Sequence, residues 1–133
     1  MIVVDASVLV VALGDDADDG DLARARLRGE DFSAPELIDL EVGSALRRLL
    51  ATGKLDRRRA ELALGDLVEL PLRRGAHRPL VARCWQLREN CTFYDAAYVA
   101  LAELLEAPLV TADMRLAAIP GARCDIDLLS RPS

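Results

Sequence analysis

A chain of 133 residues fits one domain and leaves no room for two independent cores. It is 52% hydrophobic, which is enough to fill a core without metal or disulfide staples. Its formal net charge of −5 argues against a protein that wraps duplex DNA by bulk electrostatics.

Taken in chain order, residues 2–5 form a β-branched run suited to a buried strand, and 6–13 continue as a helix. Residues 15–21 read as an acidic loop, 22–27 as a short helix and 32–34 as a short strand. The clearest helix is 36–51, with Pro35 near its first turn and Gly53 just past its end. A second helix is expected over 57–67. Residues 68–72 read as a strand that Pro71 moves towards a sheet edge. Helices follow at 79–87 and 94–105, then a strand at 109–111, a short helix through Leu116 and a last strand within 122–128. Strands separated by helices imply a short parallel sheet covered on both faces, a three-layer α/β/α sandwich. The domain is expected over 1–129, with 130–133 as a disordered tail.

The opening residues carry neither a basic stretch nor a small-residue cleavage site, so no signal peptide is expected. Apolar runs fall far short of the roughly 20 residues of a bilayer span, so no membrane segment is expected and the cytoplasm is the default location. Cys84, Cys91 and Cys124 are odd in number, widely spaced and have only His77 to join them, which disfavours structural zinc and suggests small packed hydrophobes.

Open parallel sheets bind ligands beyond the carboxyl ends of their strands, and two acids fall there. Asp5 ends the first strand, and Asp113 lies just past 109–111. Each also suits a helix N-terminus, where a carboxylate accepts from free amides. Glu41 lies on the flank of the stripe Ile38, Val42, Ala45 and Leu49, where a semi-buried charge needs a partner, and Arg48 is a candidate. Asp95, three residues after Thr92, has the spacing of a capping box and borders the face of Tyr94, Tyr98, Leu101 and Leu105. Four carboxylates brought together would repel one another when empty, and oxygen-only donors suit Mg²⁺ or Mn²⁺, which can activate water against a phosphodiester.

Other features point elsewhere or nowhere. Ala17 and Arg26 break the ligand pattern of a calcium loop in the acidic stretch. Phosphate-cradling glycine motifs are absent. The arginines at 57–59, with Arg73, Arg74 and Arg78, either track an RNA backbone or are simply solvated. Trp85 and Phe93 are expected in the core or a dimer interface. An aspartyl-phosphate chemistry at Asp5 lacks both a second nearby acid and a placed lysine, since Lys54 is the only lysine.

Four stretches resemble, in order, the motifs of PIN domains. They are Val3-Val4-Asp5-Ala6-Ser7-Val8-Leu9-Val10, the run from Pro35 through Glu41 to Val42, Thr92-Phe93-Tyr94-Asp95-Ala96-Ala97-Tyr98, and Leu109-Val110-Thr111-Ala112-Asp113-Met114-Arg115-Leu116. Order, spacing and length are similar to the VapC toxins of type II toxin–antitoxin pairs. That resemblance implies a Mg²⁺-dependent endoribonuclease, with Mn²⁺ able to substitute, acting on RNA. It further implies a homodimer, through helices near 36–51 and 57–67, and inhibition by a small VapB-like antitoxin. By position, Asp5, Glu41, Asp95 and Asp113 would be the catalytic acids, with metal on Asp5, Asp95 and Asp113. Ser7 and Thr111 would be supporting hydroxyls. Some relatives carry a further acid where this chain has Arg115, which leaves one or two ions open. A catalytically inactive PIN-fold scaffold is the alternative.

Overall fold

The computed structural model describes residues 1–130, so most of the expected tail, 131–133, lies outside the described residues. Its elements are β1 (Ile2–Val4), α1 (Ala6–Gly14), α2 (Asp18–Leu27), β2 (Phe32–Pro35), α3 (Ile38–Ala51) and α4 (Arg57–Glu69). They continue with β3 (Arg73–Gly75), a 3₁₀ turn (Arg78–Leu80), α5 (Val81–Gln86), α6 (Phe93–Leu105), β4 (Leu109–Thr111), α7 (Met114–Ala117) and β5 (Ile126–Leu128).

The five strands pair in parallel in the order β3-β2-β1-β4-β5, with Val3 opposite Leu109 and Ile2 opposite Phe32. The chain moves from β1 towards β3, then returns across β1 to β4 and β5. Because parallel crossovers are right-handed, that reversal sends α1 to α4 to one face and α5 to α7 to the other. Packing agrees, since α1 rests on α2, α3 and α4 whereas α6 rests on α5, β1, β2 and β4. The expected three-layer sandwich is what forms. Its core runs through Val3, Val4, Leu9, Ile38, Val42, Leu67, Val99 and Leu109, all essentially without solvent contact. Each such side chain contributes roughly 1.5–3 kcal/mol by leaving water.

Three expectations change. Residues 18–21 are helical rather than loop. Asp15 accepts from the amides of Ala17 and Gly20, at 3.0 Å each, and Asp18, Asp19 and Asp21 sit in the first turn, where the helix dipole favours acids. Residues 68–72 are not a strand. The inward spacing Ala60, Ala63, Leu67 carries α4 to Glu69, and pairing resumes only beyond Pro71, with Ser33 opposite Arg73 at the sheet edge. Finally, Pro35 closes β2 instead of opening α3, which starts at Ile38. The Leu37 amide there donates to Nε2 of His77 at 2.9 Å, a cap from a distant element.

Among the described residues no helix is long and apolar enough to cross a membrane. Cys84 is buried and Cys91 and Cys124 are half-buried, all as free thiols.

Candidate active site at the carboxyl ends of β1 and β4

Reversal of the chain between β1 and β4 leaves a crevice at their carboxyl ends, the place where open parallel sheets bind ligands. Asp5 is the first residue past β1. Its carboxylate caps α1, with Oδ1 accepting from the Val8 amide (3.3 Å) and from Ser7 Oγ (2.6 Å). The other oxygen, Oδ2, accepts from Thr111 Oγ1 at 2.7 Å, across the strand boundary. Each hydroxyl is also held from its other side, since Ser7 Oγ accepts from the Ala112 amide and Thr111 Oγ1 from the Asp113 amide while both donate to Asp5. Asp5 is 5% exposed, and burial pushes its carboxyl above the ordinary value despite three hydrogen bonds that favour the anion, with the charge of Asp113 adding to the rise.

Asp113 caps α7, accepting from the Arg115 amide at 2.9 Å, and the Arg115 guanidinium stands 3.8 Å from it. Asp95 lies in the first turn of α6, which Thr92 caps by accepting from the Asp95 amide. Burial, and next the charge of Asp113, raise the Asp95 carboxyl, while Arg115 and Thr92 oppose the rise. Glu41 projects from α3. It is raised by burial and by Asp95, against a hydrogen bond from the Tyr98 hydroxyl to its Oε1. The acids are thus linked electrostatically in the sequence Asp5, Asp113, Asp95, Glu41, with the fixed hydroxyls of Ser7 and Thr111 beside the first.

Tyr98 was not anticipated as part of this group. It is 1% exposed, and burial first, then Glu41, Asp5 and Asp95, hold its phenol firmly protonated. A buried phenol needs a partner, and Tyr98 follows Asp95 by three residues on one helix, so the signal was present in the sequence. Arg48, expected to pair with Glu41, instead donates to Ser44 Oγ at 3.1 Å. Trp85 and Phe93 are not core residues: they make an exposed edge-to-face pair, with Arg88 stacked 4.4 Å above the Trp85 ring. Of the arginines weighed for RNA, Arg57, Arg59 and Arg74 are tied to Glu61, Asp16 and Asp39.

The donor set suits a hard divalent cation, being all oxygen and mutually repulsive, with three of its four carboxyls raised by burial. Among the described residues, however, no three acidic, histidine or cysteine side chains close into a cage. A wider cleft of about 720 Å³ lies among α1, α2 and α4, and none of the four acids lines it.

The PIN domain family profile matches residues 2–122. The chain belongs to the PIN-domain family. Ribonuclease VapC1 of Mycobacterium tuberculosis is 45% identical over 128 residues, covering 96% of each chain. Ribonuclease VapC9 of the same species is 40% identical over 131 residues, covering 98% of this chain and all of its own. Among solved structures, PAE2754 from Pyrobaculum aerophilum superposes with a TM-score of 0.73 at 26% identity, covering 96% of this chain and 83% of that one. FitAcB from Neisseria gonorrhoeae gives a TM-score of 0.71 at 16% identity, with 96% of each chain covered, and supports the PIN fold alone.

Proposed function

We propose that this PIN domain is the toxin of a type II toxin–antitoxin pair, a Mg²⁺-dependent endoribonuclease for which Mn²⁺ substitutes. It acts in the cytoplasm as a homodimer and is held in check by a VapB-like antitoxin. The observation that carries this reading is the hydrogen-bonded group of Asp5, Ser7, Thr111 and Asp113 at the β1/β4 crevice, in a chain 45% identical to a named ribonuclease.

Asp5, Asp95 and Asp113 would hold the ion. When bound, it supplies positive charge to the phosphodiester and acidity to a water. Ser7 and Thr111 lock the Asp5 carboxylate in one orientation, so no reorganisation is needed as charge develops. Tyr98 holds Oε1 of Glu41, leaving Oε2 to take the proton of the attacking water, and the raised carboxyl makes Glu41 a stronger base than a solvated glutamate. The water's oxygen then bonds to phosphorus, and the leaving ribose oxygen takes a proton from solvent.

Purified protein free of antitoxin is to be incubated with total RNA, in Mg²⁺ and in EDTA, beside Asp5→Asn and Asp95→Asn. Discrete cleavage that needs metal and disappears in both folded variants is the expected result. Loss of both cleavage and Mn²⁺ binding in the wild type would replace this reading with an inactive scaffold.

A further inference from the structure

Arg48 is an exposed arginine whose guanidinium, among the described residues, bonds only to a neutral hydroxyl, Ser44 Oγ, one turn earlier on α3. Among the described residues it has no acidic partner, unlike Arg59, Arg74 and Arg83, which are tied to Asp16, Asp39 and Glu103. With Ser7, Glu41 and Ser44 it lines a cleft of about 400 Å³ between α1 and α3. That cleft therefore shares two of its walls with the acid site.

Resting on the nuclease reading, we propose that Arg48, steadied by Ser44, is a substrate-positioning residue that binds a phosphate of the RNA strand next to the one being cut. Seven residues of helix separate it from Glu41, a rise of about 10 Å on the same face, so it meets a different phosphate from the one at the acids. A guanidinium presents a planar fork that matches phosphate oxygens. The need for it is electrostatic, because a chain of net charge −5 with an acid-lined crevice repels a polyanion unless a local cation receives it. Ser44 limits the swing of the long side chain, so less rotamer freedom is lost on binding.

The test compares wild type with Arg48→Ala, Arg48→Lys and Arg28→Ala. Arg28 is the control because it is exposed beside the separate cleft among α1, α2 and α4, which none of the four acids lines. Fluorescence anisotropy with a labelled single-stranded RNA of randomised sequence, in EDTA so that nothing is cut, reads affinity across a salt series. Arg48→Ala is expected to weaken binding about tenfold and to lower the salt slope by about one, with Arg48→Lys keeping the slope and only part of the affinity. In Mg²⁺, Arg48→Ala raises KM while kcat is nearly unchanged, the mark of lost uniform binding. Affinity, slope and KM equal to wild type would overturn the assignment while metal-dependent cleavage left the nuclease reading intact. An equal loss towards a polyglutamate peptide would also overturn it, marking a protein-carboxylate site instead. A wild type that neither cuts RNA in Mg²⁺ nor binds Mn²⁺ removes the nuclease reading itself.

Discussion

The hydroxyl of Tyr98 on α6 donates to Oε1 of Glu41 on α3, a bond that joins the two helical layers over the end of the sheet. It favours the carboxylate form of Glu41 against the burial that disfavours it. Removing it in Tyr98→Phe lets the Glu41 carboxyl rise further. The acidic limb of the cleavage–pH profile is then expected to move to higher pH, with activity near neutrality down about tenfold. Stability should fall by about 1 kcal/mol, the usual net worth of one hydrogen bond. A profile whose limb does not move would dissociate Glu41 from proton transfer.

Ser7 and Thr111 act through Asp5. Thr111→Val keeps the shape of the side chain but leaves Asp5 Oδ2 without its donor and the Asp113 amide without its acceptor. Ser7→Ala leaves Oδ1 with only the longer bond from the Val8 amide and the Ala112 amide without its acceptor. Each should cost about 1–3 kcal/mol in a denaturant titration, because a buried group is left unpaired. Mn²⁺ affinity, followed by calorimetry, should drop roughly 10–100-fold, as for other groups that orient a ligand. Unchanged affinity in both variants would remove Asp5 from the ligand set.

Stability should depend on pH in opposite senses at two places. In EDTA, burial makes Asp5, Glu41 and Asp95 hold their protons more tightly folded than unfolded. That contribution is complete below the ordinary carboxylate range, at about pH 4, and is lost as pH rises through the raised folded values. Glu103 behaves in reverse. Burial alone would raise it, but the bidentate bonds from Arg83, at 2.7 and 3.1 Å, and the Arg123 amide hold it below its usual value. Its contribution is present above that range and lost as pH falls through the depressed folded value. Tm in EDTA should therefore fall by a few degrees as pH rises from the ordinary carboxylate range through the raised folded values, and Mg²⁺ should restore it by binding only the folded state. A flat Tm in EDTA, or no recovery in Mg²⁺, would speak against a repulsive acid cluster.

Much of this was legible from residues. Alternating strands and helices gave the layers, and the ends of β1 and β4 gave Asp5 and Asp113, because strand ends follow local composition. What escaped depends on contacts between distant positions. Nothing near Leu37 announces that His77 will cap it, and the Glu41–Tyr98 bond spans 57 residues of sequence. The strand expected at 68–72 failed for another reason. Val68 is β-branched, yet it is 74% exposed on the outer side of α4, where the inward spacing of Ala63 and Leu67 decides the structure.

Gly20 offers a test of the corrected start of α2. A Cβ built there would stand 1.8 Å from the carbonyl oxygen of Asp15, a backbone atom that cannot swing aside. The close approach is what lets Asp15 Oδ2 accept from the Gly20 amide. Gly20→Ala, which in an exposed helix would stabilise, is expected to cost about 2 kcal/mol or more in a urea titration. A neutral or stabilising result would mean that residues 15–20 do not pack as described.

Glu106 is the converse case. It ends α6 with φ of +52°, in the left-handed region, and among the described residues it is the only non-glycine with positive φ. Its amide bonds back to the carbonyls of Ala102 and Glu103, so the conformation closes the helix and is worth keeping. An L side chain there costs roughly 1–2 kcal/mol, part of which glycine gives back through its freer unfolded state. Glu106→Gly should therefore stabilise the fold by about 0.5–1 kcal/mol, visible as a Tm rise of a few degrees with cleavage unchanged. A destabilised variant would show that the Glu106 side chain makes a contact worth more than the backbone strain it imposes.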